Sequence, residues 1–67
     1  MIDELKIGDN LKIGRLLPNT YTAKLIYIPK DKSIGKYVLF IFTPAYFGKK
    51  FFLSREQLQE EFIKKLN

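Results

Sequence analysis

The chain contains neither cysteine nor histidine in its 67 residues. Disulfide bonds are therefore excluded, and so are the usual ligand sets of structural zinc. A domain of this length buries only about 60% of the surface that its unfolded chain exposes, so its stability depends on dense apolar packing or on a partner. An apolar fraction of 46%, with 15% aromatic residues, favours a single well-packed core.

The same absences restrict catalysis. Histidine is the commonest general acid–base residue, and nucleophile–base pairs with cysteine or histidine cannot be built here. The seven acidic residues are spread over turns, the N-terminal segment and a predicted helix, and no phosphate-binding glycine pattern occurs. A domain of this size also lacks the deep cleft of a typical enzyme. We therefore predict that the protein is not an enzyme and uses no cofactor and no metal.

Long apolar segments are absent as well. The longest uncharged stretch, Tyr37 to Gly48, has 12 residues and includes Pro44, whereas a membrane-spanning helix needs about 20 residues. The N-terminal segment is charged and has no apolar region of the kind found in signal peptides. These features predict a cytoplasmic protein that does not act on membranes.

Positive charge is in excess and unevenly placed. The net charge is +5, and residues 1–53 contain nine bases and four acids, whereas residues 54–67 contain three of each. The excess favours an anionic partner, such as DNA, RNA or an acidic protein surface. The alternative is that the charge serves only solubility, since a net charge of about 2–8 is ordinary for a small domain.

Alternating apolar residues and turn residues predict four or five short antiparallel strands. A tight bend at Gly8 precedes the first strand, and residues 14–20 form a loop under which Leu16 and Leu17 pack. The later strands are predicted at residues 21–28, 37–43 and 49–53. The strand at 37–43 is apolar on both faces, which indicates a central strand or one covered on both sides.

A helix is predicted at about residues 54–66. Ser54 is a good N-cap, and Gln57 completes a capping box with it. Apolar residues then recur every three or four positions and form one stripe that must pack on the strands. The members of this stripe are Leu58, Phe62, Ile63 and Leu66.

The opening segment, Leu5 to Ile13 (LKIGDNLKI), resembles the apolar and Gly-Asp pattern at the start of many small SH3-like barrels. The helix after the last strand resembles that of the small basic archaeal chromatin proteins of this fold, and some small phage-borne barrel proteins show a similar pattern. The resemblance implies one domain over residues 1–67, mainly β, with a small SH3-like barrel capped by the C-terminal helix. It also implies a binding protein.

Seven of the ten aromatic residues lie between Tyr37 and Leu53. Such a block is either the core or a surface on which bases stack beside lysines that bind phosphates. Most of it is assigned to the core, and the turn from Tyr46 to Lys50 is left as the functional candidate. The predicted nucleic-acid-binding residues are Lys12, Arg15, Lys24, Tyr46, Phe47, Lys49 and Lys50.

A second hypothesis is protein binding. If the strand at residues 37–43 were at an edge of the sheet, it would accept a strand from a partner. The partner would be a second copy of the chain, or a larger protein that this chain regulates or inhibits, as small phage proteins do.

Overall fold

The computed structural model describes residues 2–16 and 18–67. Over these residues, the chain forms one antiparallel sheet of five strands and a single α-helix. Two short 3-10 helices, Ile2–Glu4 and Pro44–Tyr46, accompany the main elements. In chain order, the main elements are β1 (Asn10–Ile13), β2 (Tyr21–Tyr27), β3 (Tyr37–Ile41), β4 (Lys50–Leu53), α1 (Arg55–Glu61) and β5 (Phe62–Lys65). The strand order across the sheet is β4-β3-β2-β1-β5.

Three strand predictions are confirmed to within two residues at each end. Strands β2, β3 and β4 lie inside the predicted segments, and β3 is central because it pairs with both β2 and β4. The bend predicted at Gly8 is present: Gly8 has a φ of 99° and turns the chain towards Asn10, where β1 begins. Before the bend, Leu5 packs into the core cluster.

The predicted helix is correct at its start and wrong at its end. The capping box is present: Gln57 N–H donates to Ser54 Oγ at 3.1 Å, and Ser54 N–H donates to Gln57 Oε1 at 2.9 Å. The helix stops at Glu61, however, and residues 62–65 form β5. A helix continued to residue 66 would leave one edge of β1 without hydrogen bonds, whereas β5 pairs with that edge in antiparallel register.

The predicted barrel is not closed. Strands β4 and β5 stand at the two ends of the strand order, so the five strands form an open sheet. Leu16, predicted to pack beneath its loop, is exposed, and Leu17 lies outside the described residues. No helix in the described part of the chain is both long and apolar enough to cross a bilayer.

One face of the sheet, which we call the inner face, holds the core. Alternate residues of β1, β2 and β3 point to it and are buried. They are Leu11, Ile13, Tyr21, Ala23, Leu25, Tyr37, Leu39 and Ile41. Leu58 of α1 and Ile2 of the first 3-10 helix complete the cluster, so the helical segments pack against this face.

A bidentate ion pair joins the two segments that cover the core. Arg55 at the start of α1 donates from Nη1 and Nη2 to the two carboxylate oxygens of Asp3, at 2.5 and 2.8 Å. These hydrogen bonds hold the pKa of Asp3 below its ordinary value.

Candidate nucleic-acid interface

The opposite face of the sheet, which we call the outer face, is formed by the intervening residues of the same strands. Its members are Asn10, Lys12, Thr22, Lys24, Tyr27, Val38, Phe40, Phe42, Lys50, Phe52 and Lys64. Each of the three helical segments directs an apolar side chain, namely Ile2, Tyr46 or Leu58, towards the core on the inner side. Within the described residues, no element therefore forms a second layer over the outer face.

Three phenylalanine rings form an aromatic cluster at one end of the outer face. Phe40 lies 5.1 Å from Phe42 and 5.6 Å from Phe47 between ring centroids, and Phe42 lies 5.9 Å from Phe47. Phe40 is half-buried, whereas Phe42 is 36% exposed and Phe47 is 64% exposed. The cluster thus presents two rings to solvent, supported from below by a third.

A tight turn holds Phe47 in place. Lys49 N–H donates to the Tyr46 carbonyl at 3.0 Å. Phe47 has φ −54° and ψ 131°, and Gly48 has φ 88°, which is the backbone of a type II turn. Gly48 N–H also donates to the Ile41 carbonyl at 2.9 Å, and Ile41 N–H donates to the Lys49 carbonyl at 2.9 Å, so the turn closes through a bulge onto β3. The backbone beneath the Phe47 ring is therefore well defined.

Four lysines share the outer face with the aromatic cluster. Phe40 has a lysine opposite it on each neighbouring strand, Lys50 on β4 and Lys24 on β2. The ammonium of Lys24 is 5.8 Å from the centroid of the Phe42 ring, within the range of a cation–π contact. The basic positions thus begin at the aromatic cluster and continue across the sheet.

Lys12 and Lys64 are direct cross-strand partners in the pairing of β1 with β5. Like charges placed directly opposite each other destabilise a sheet. Among the residues that the structure describes, no carboxylate occupies a ladder position on the outer face. Neither the Arg55–Asp3 ion pair nor the Lys65–Asp9 ion pair involves an outer-face lysine. The pair Lys12–Lys64 therefore forms a local concentration of positive charge that would be relieved by an anion.

The structure brings together four of the seven residues predicted from the sequence. Lys12, Lys24 and Lys50 point to the outer face, and Phe47 contacts its aromatic cluster. Lys49 is exposed but directly precedes β4, so strand alternation places it on the side opposite Lys50.

The other two predicted residues lie away from this face. The Tyr46 ring packs edge-on against Tyr21 at 5.2 Å and belongs to the margin of the core. Arg15 donates from Nη2 to the Phe62 carbonyl at 3.3 Å. It lines a cleft of about 290 Å³ beside Ile2 and Gln59, on the side of the helical segments.

Phe40, Phe42 and Lys64 are among the outer-face residues that sequence reasoning missed. Phe40 and Phe42 were assigned to the core, since β3 is apolar on both faces. Lys64 was assigned to the end of the helix. The alternation of β3 did place Phe40 and Phe42 on one side, but only the absence of a second layer there makes them a surface.

A second concave region lies between β4 and α1. It has a volume of about 590 Å³ and is lined by residues 50–53 together with Gln57, Glu60 and Glu61. Glu61 is nearly buried, and its Oε1 accepts a hydrogen bond from the Leu16 N–H at 3.2 Å. Over residues 2–16 and 18–67, acidic side chains do not gather into a group that could hold a metal ion.

Comparisons with protein-family models, curated proteins and solved structures find no significant match to this chain. The functional assignment therefore rests on the residues of the outer face and their geometry.

Proposed function

We propose that this protein is a non-catalytic module that binds nucleic acid through the outer face of its sheet. The observation that supports the proposal most strongly is the combination, on one uncovered surface, of exposed phenylalanines with four lysines, and with no carboxylate at the paired strand positions of the described residues. A core surface would not hold four lysines, and a surface that served only solubility would intersperse both signs of charge.

Each part of the outer face has a defined role in this proposal. The lysines neutralise phosphates and release condensed counterions, which gives affinity without sequence preference. The exposed rings of Phe42 and Phe47 stack on bases, and such stacking contributes about 1–3 kcal/mol for each base. Lys24 leaves its position near the Phe42 ring and pairs with a phosphate, so that one face of that ring becomes available.

The resemblance to small SH3-like barrel proteins belongs to the proposal too. It is supported by the order of the elements up to α1, since four short antiparallel strands precede the helix, whereas β5 follows it. In this chain, the sheet would be an open form of such a barrel, with α1 between its two edge strands.

Fluorescence polarisation with a labelled oligonucleotide that combines a duplex stem and a single-stranded tail tests the proposal. We expect binding that weakens steeply as salt rises. The Lys12→Gln/Lys24→Gln variant should lose affinity and have a shallower salt dependence, because each lost phosphate contact reduces the slope by about 0.7–0.9.

The matched control is Lys32→Gln/Lys36→Gln, which removes the same charge from the loop between β2 and β3. This loop joins the end of β2 to the start of β3, whereas the aromatic cluster lies at the other end of these strands. Equal losses in the two variants would show that net charge, and not the outer face, determines binding. Failure of the wild-type protein to bind at low salt would refute the proposal.

The open edge of β4 favours a second candidate function, which is pairing with another protein chain. Strand β3 is central, so the condition that residues 37–43 lie at an edge is not met, but β4 has a partner on one side only. Its exposed Phe52 lies beside the cleft between β4 and α1. If two copies pair through β4, light scattering should show a dimer at high concentration. Phe52→Lys should then restore the monomer. A wild-type protein that is monomeric at every concentration would exclude such pairing.

A further inference from the structure

We infer that the ligand of the outer face is single-stranded nucleic acid, with one base on Phe47 and the sugar–phosphate chain crossing the sheet towards Lys12 and Lys64. This inference rests on the proposed function and narrows it to one class of ligand. It assigns the aromatic cluster to bases and the far side of the outer face to phosphates.

The position of the only α-helix in the described residues disfavours duplex recognition. Proteins that read a duplex commonly insert an α-helix or a two-stranded ribbon into the major groove. Helix α1 has seven residues, with one base and three acids, and it packs against the inner face. Its negative charge would be repelled by the phosphates on both sides of a groove.

The aromatic cluster has the opposite preference. In a duplex, each base is covered above and below by its neighbours, so a side chain lying on a protein surface cannot stack on it. The bases of a single strand can be splayed out onto aromatic side chains. Phe47 is 64% exposed. Three backbone hydrogen bonds fix its turn, from Lys49 N–H to the Tyr46 carbonyl, from Gly48 N–H to the Ile41 carbonyl, and from Ile41 N–H to the Lys49 carbonyl. Phe47 therefore offers a preformed stacking surface with little conformational freedom to lose on binding.

The spacing across the sheet gives the direction and length of the bound segment. Phe42 continues the register of β3 next to Thr22, to which its N–H donates at 2.7 Å. Thr22 lies opposite Lys12, and Lys12 lies opposite Lys64. Strands are about 4.8 Å apart, so this row extends roughly 14 Å from the aromatic cluster to the last lysine. A sheet of similar width stacks about two or three bases in other single-strand-binding domains.

The pair Lys12–Lys64 supports the same placement of the phosphates. The register of β1 and β5 places two positively charged residues directly opposite each other, which is an unfavourable arrangement in the free protein. A phosphate placed between them would replace this repulsion with two favourable interactions. The ligand thus has its greatest electrostatic gain at the end of the row that is farthest from the rings.

The experiment compares dye-labelled 12-nucleotide oligo-dT with the same strand annealed to oligo-dA, by polarisation at two salt concentrations. We expect the single strand to bind at least about tenfold more tightly than the duplex. Phe47→Ala should weaken single-strand binding by roughly 5-fold to 150-fold, which corresponds to the loss of one stacked base. Phe47→Tyr, which keeps a stacking ring, should bind like the wild type.

Ile34→Ala is the matched control, because Ile34 is an apolar side chain that is 80% exposed in the loop between β2 and β3. It should leave binding unchanged, and urea denaturation should show that both alanine variants remain folded. Equal affinity for single strand and duplex would overturn the inference but leave the proposed function standing. Binding to neither ligand would overturn both. A single-strand preference that persists at full strength in Phe47→Ala would overturn the placement of a base on Phe47.

Discussion

The inner and outer faces of the sheet are built from alternating residues of the same strands, but they differ in almost every property. On the inner face, Leu11, Leu25 and Leu39 are fully buried against one another and against Leu58. On the outer face, the corresponding positions hold lysines and partly exposed aromatic rings. The inner face shows what stabilises a chain without disulfides, and the outer face shows which residues are not needed for that purpose.

This difference separates two uses of aromatic residues within one short block. Tyr37 lies in the core and Phe51 at its margin. In contrast, the side chains of Phe42, Phe47 and Phe52 are 36, 64 and 60% exposed. Exposed rings of this size add little to stability and would favour aggregation unless they bind something. The comparison predicts that substitutions on the two faces separate stability from binding.

The largest effect is expected at the centre of the inner face. Leu39→Ala should lower the free energy of unfolding by about 2–5 kcal/mol, because it removes a fully buried side chain and leaves a cavity. Phe52→Ala on the outer face removes a larger side chain but should cost less than about 0.5 kcal/mol. Urea denaturation measures both, and similar losses in the two variants would contradict the division between the faces.

A smaller effect is expected at the turn that supports Phe47. Gly48 has φ 88°, so Gly48→Ala should cost about 1–2 kcal/mol of stability, although nothing lies within 4 Å of the added Cβ. Gly8→Ala is a close control, since Gly8 has φ 99° and equally open surroundings on another turn. Both variants should be destabilised to a similar degree in thermal unfolding, but only Gly48→Ala should weaken oligonucleotide binding. Loss of binding in both would mean that the turn has no special role in placing Phe47.

A change of opposite sign is expected at Lys12. Because Lys12 lies opposite Lys64, Lys12→Gln should stabilise the folded protein by about 0.2–1 kcal/mol at low salt. The same substitution should weaken nucleic-acid binding. Urea denaturation at low and high salt would show the stabilisation disappearing as charges are screened. Destabilisation of the variant at low salt would show that the two ammonium groups do not repel each other appreciably.

The smallest effect concerns acid stability and the segment that covers the inner face. The pKa of Asp3 is lowered in the folded protein, chiefly by its hydrogen bonds with Arg55. The pair therefore stabilises the fold above the ordinary carboxylate pKa of 3.8, and this contribution is lost as the pH falls below that value. Asp3→Asn should reduce stability slightly at neutral pH and make the melting temperature less sensitive to acid.

Asp31→Asn is the control variant, because the pKa of Asp31 is also lowered, in this case by hydrogen bonds from Ser33. The Asp31 pair lies within one loop, so its removal should leave the Asp3-dependent part of the acid sensitivity unchanged. An Asp3→Asn variant with the same acid sensitivity as the wild type would show that the Asp3–Arg55 pair does not contribute to the stability of the fold.

Local sequence signals predicted the elements whose conformation depends on nearby residues. The alternation of Tyr21, Ala23 and Leu25 identified both β2 and its buried face. Ser54 and Gln57 identified the first turn of α1, because a capping box is a contact between residues three positions apart. The same local pattern failed at Phe62 because the choice between helix and strand there depends on the free edge of β1, which is about 50 residues away in the sequence.

The sequence by itself therefore determined the buried face of β2, the positions of three strands and the excess of positive charge. The tertiary structure decided which apolar residues remain exposed and which lysines become neighbours. Phe40 and Phe42 form a surface only because the helical segments pack on the other side of the sheet. Lys64 joins Lys12 only because β5 pairs with β1. Both outcomes depend on contacts between distant parts of the chain, which residue periodicity does not encode.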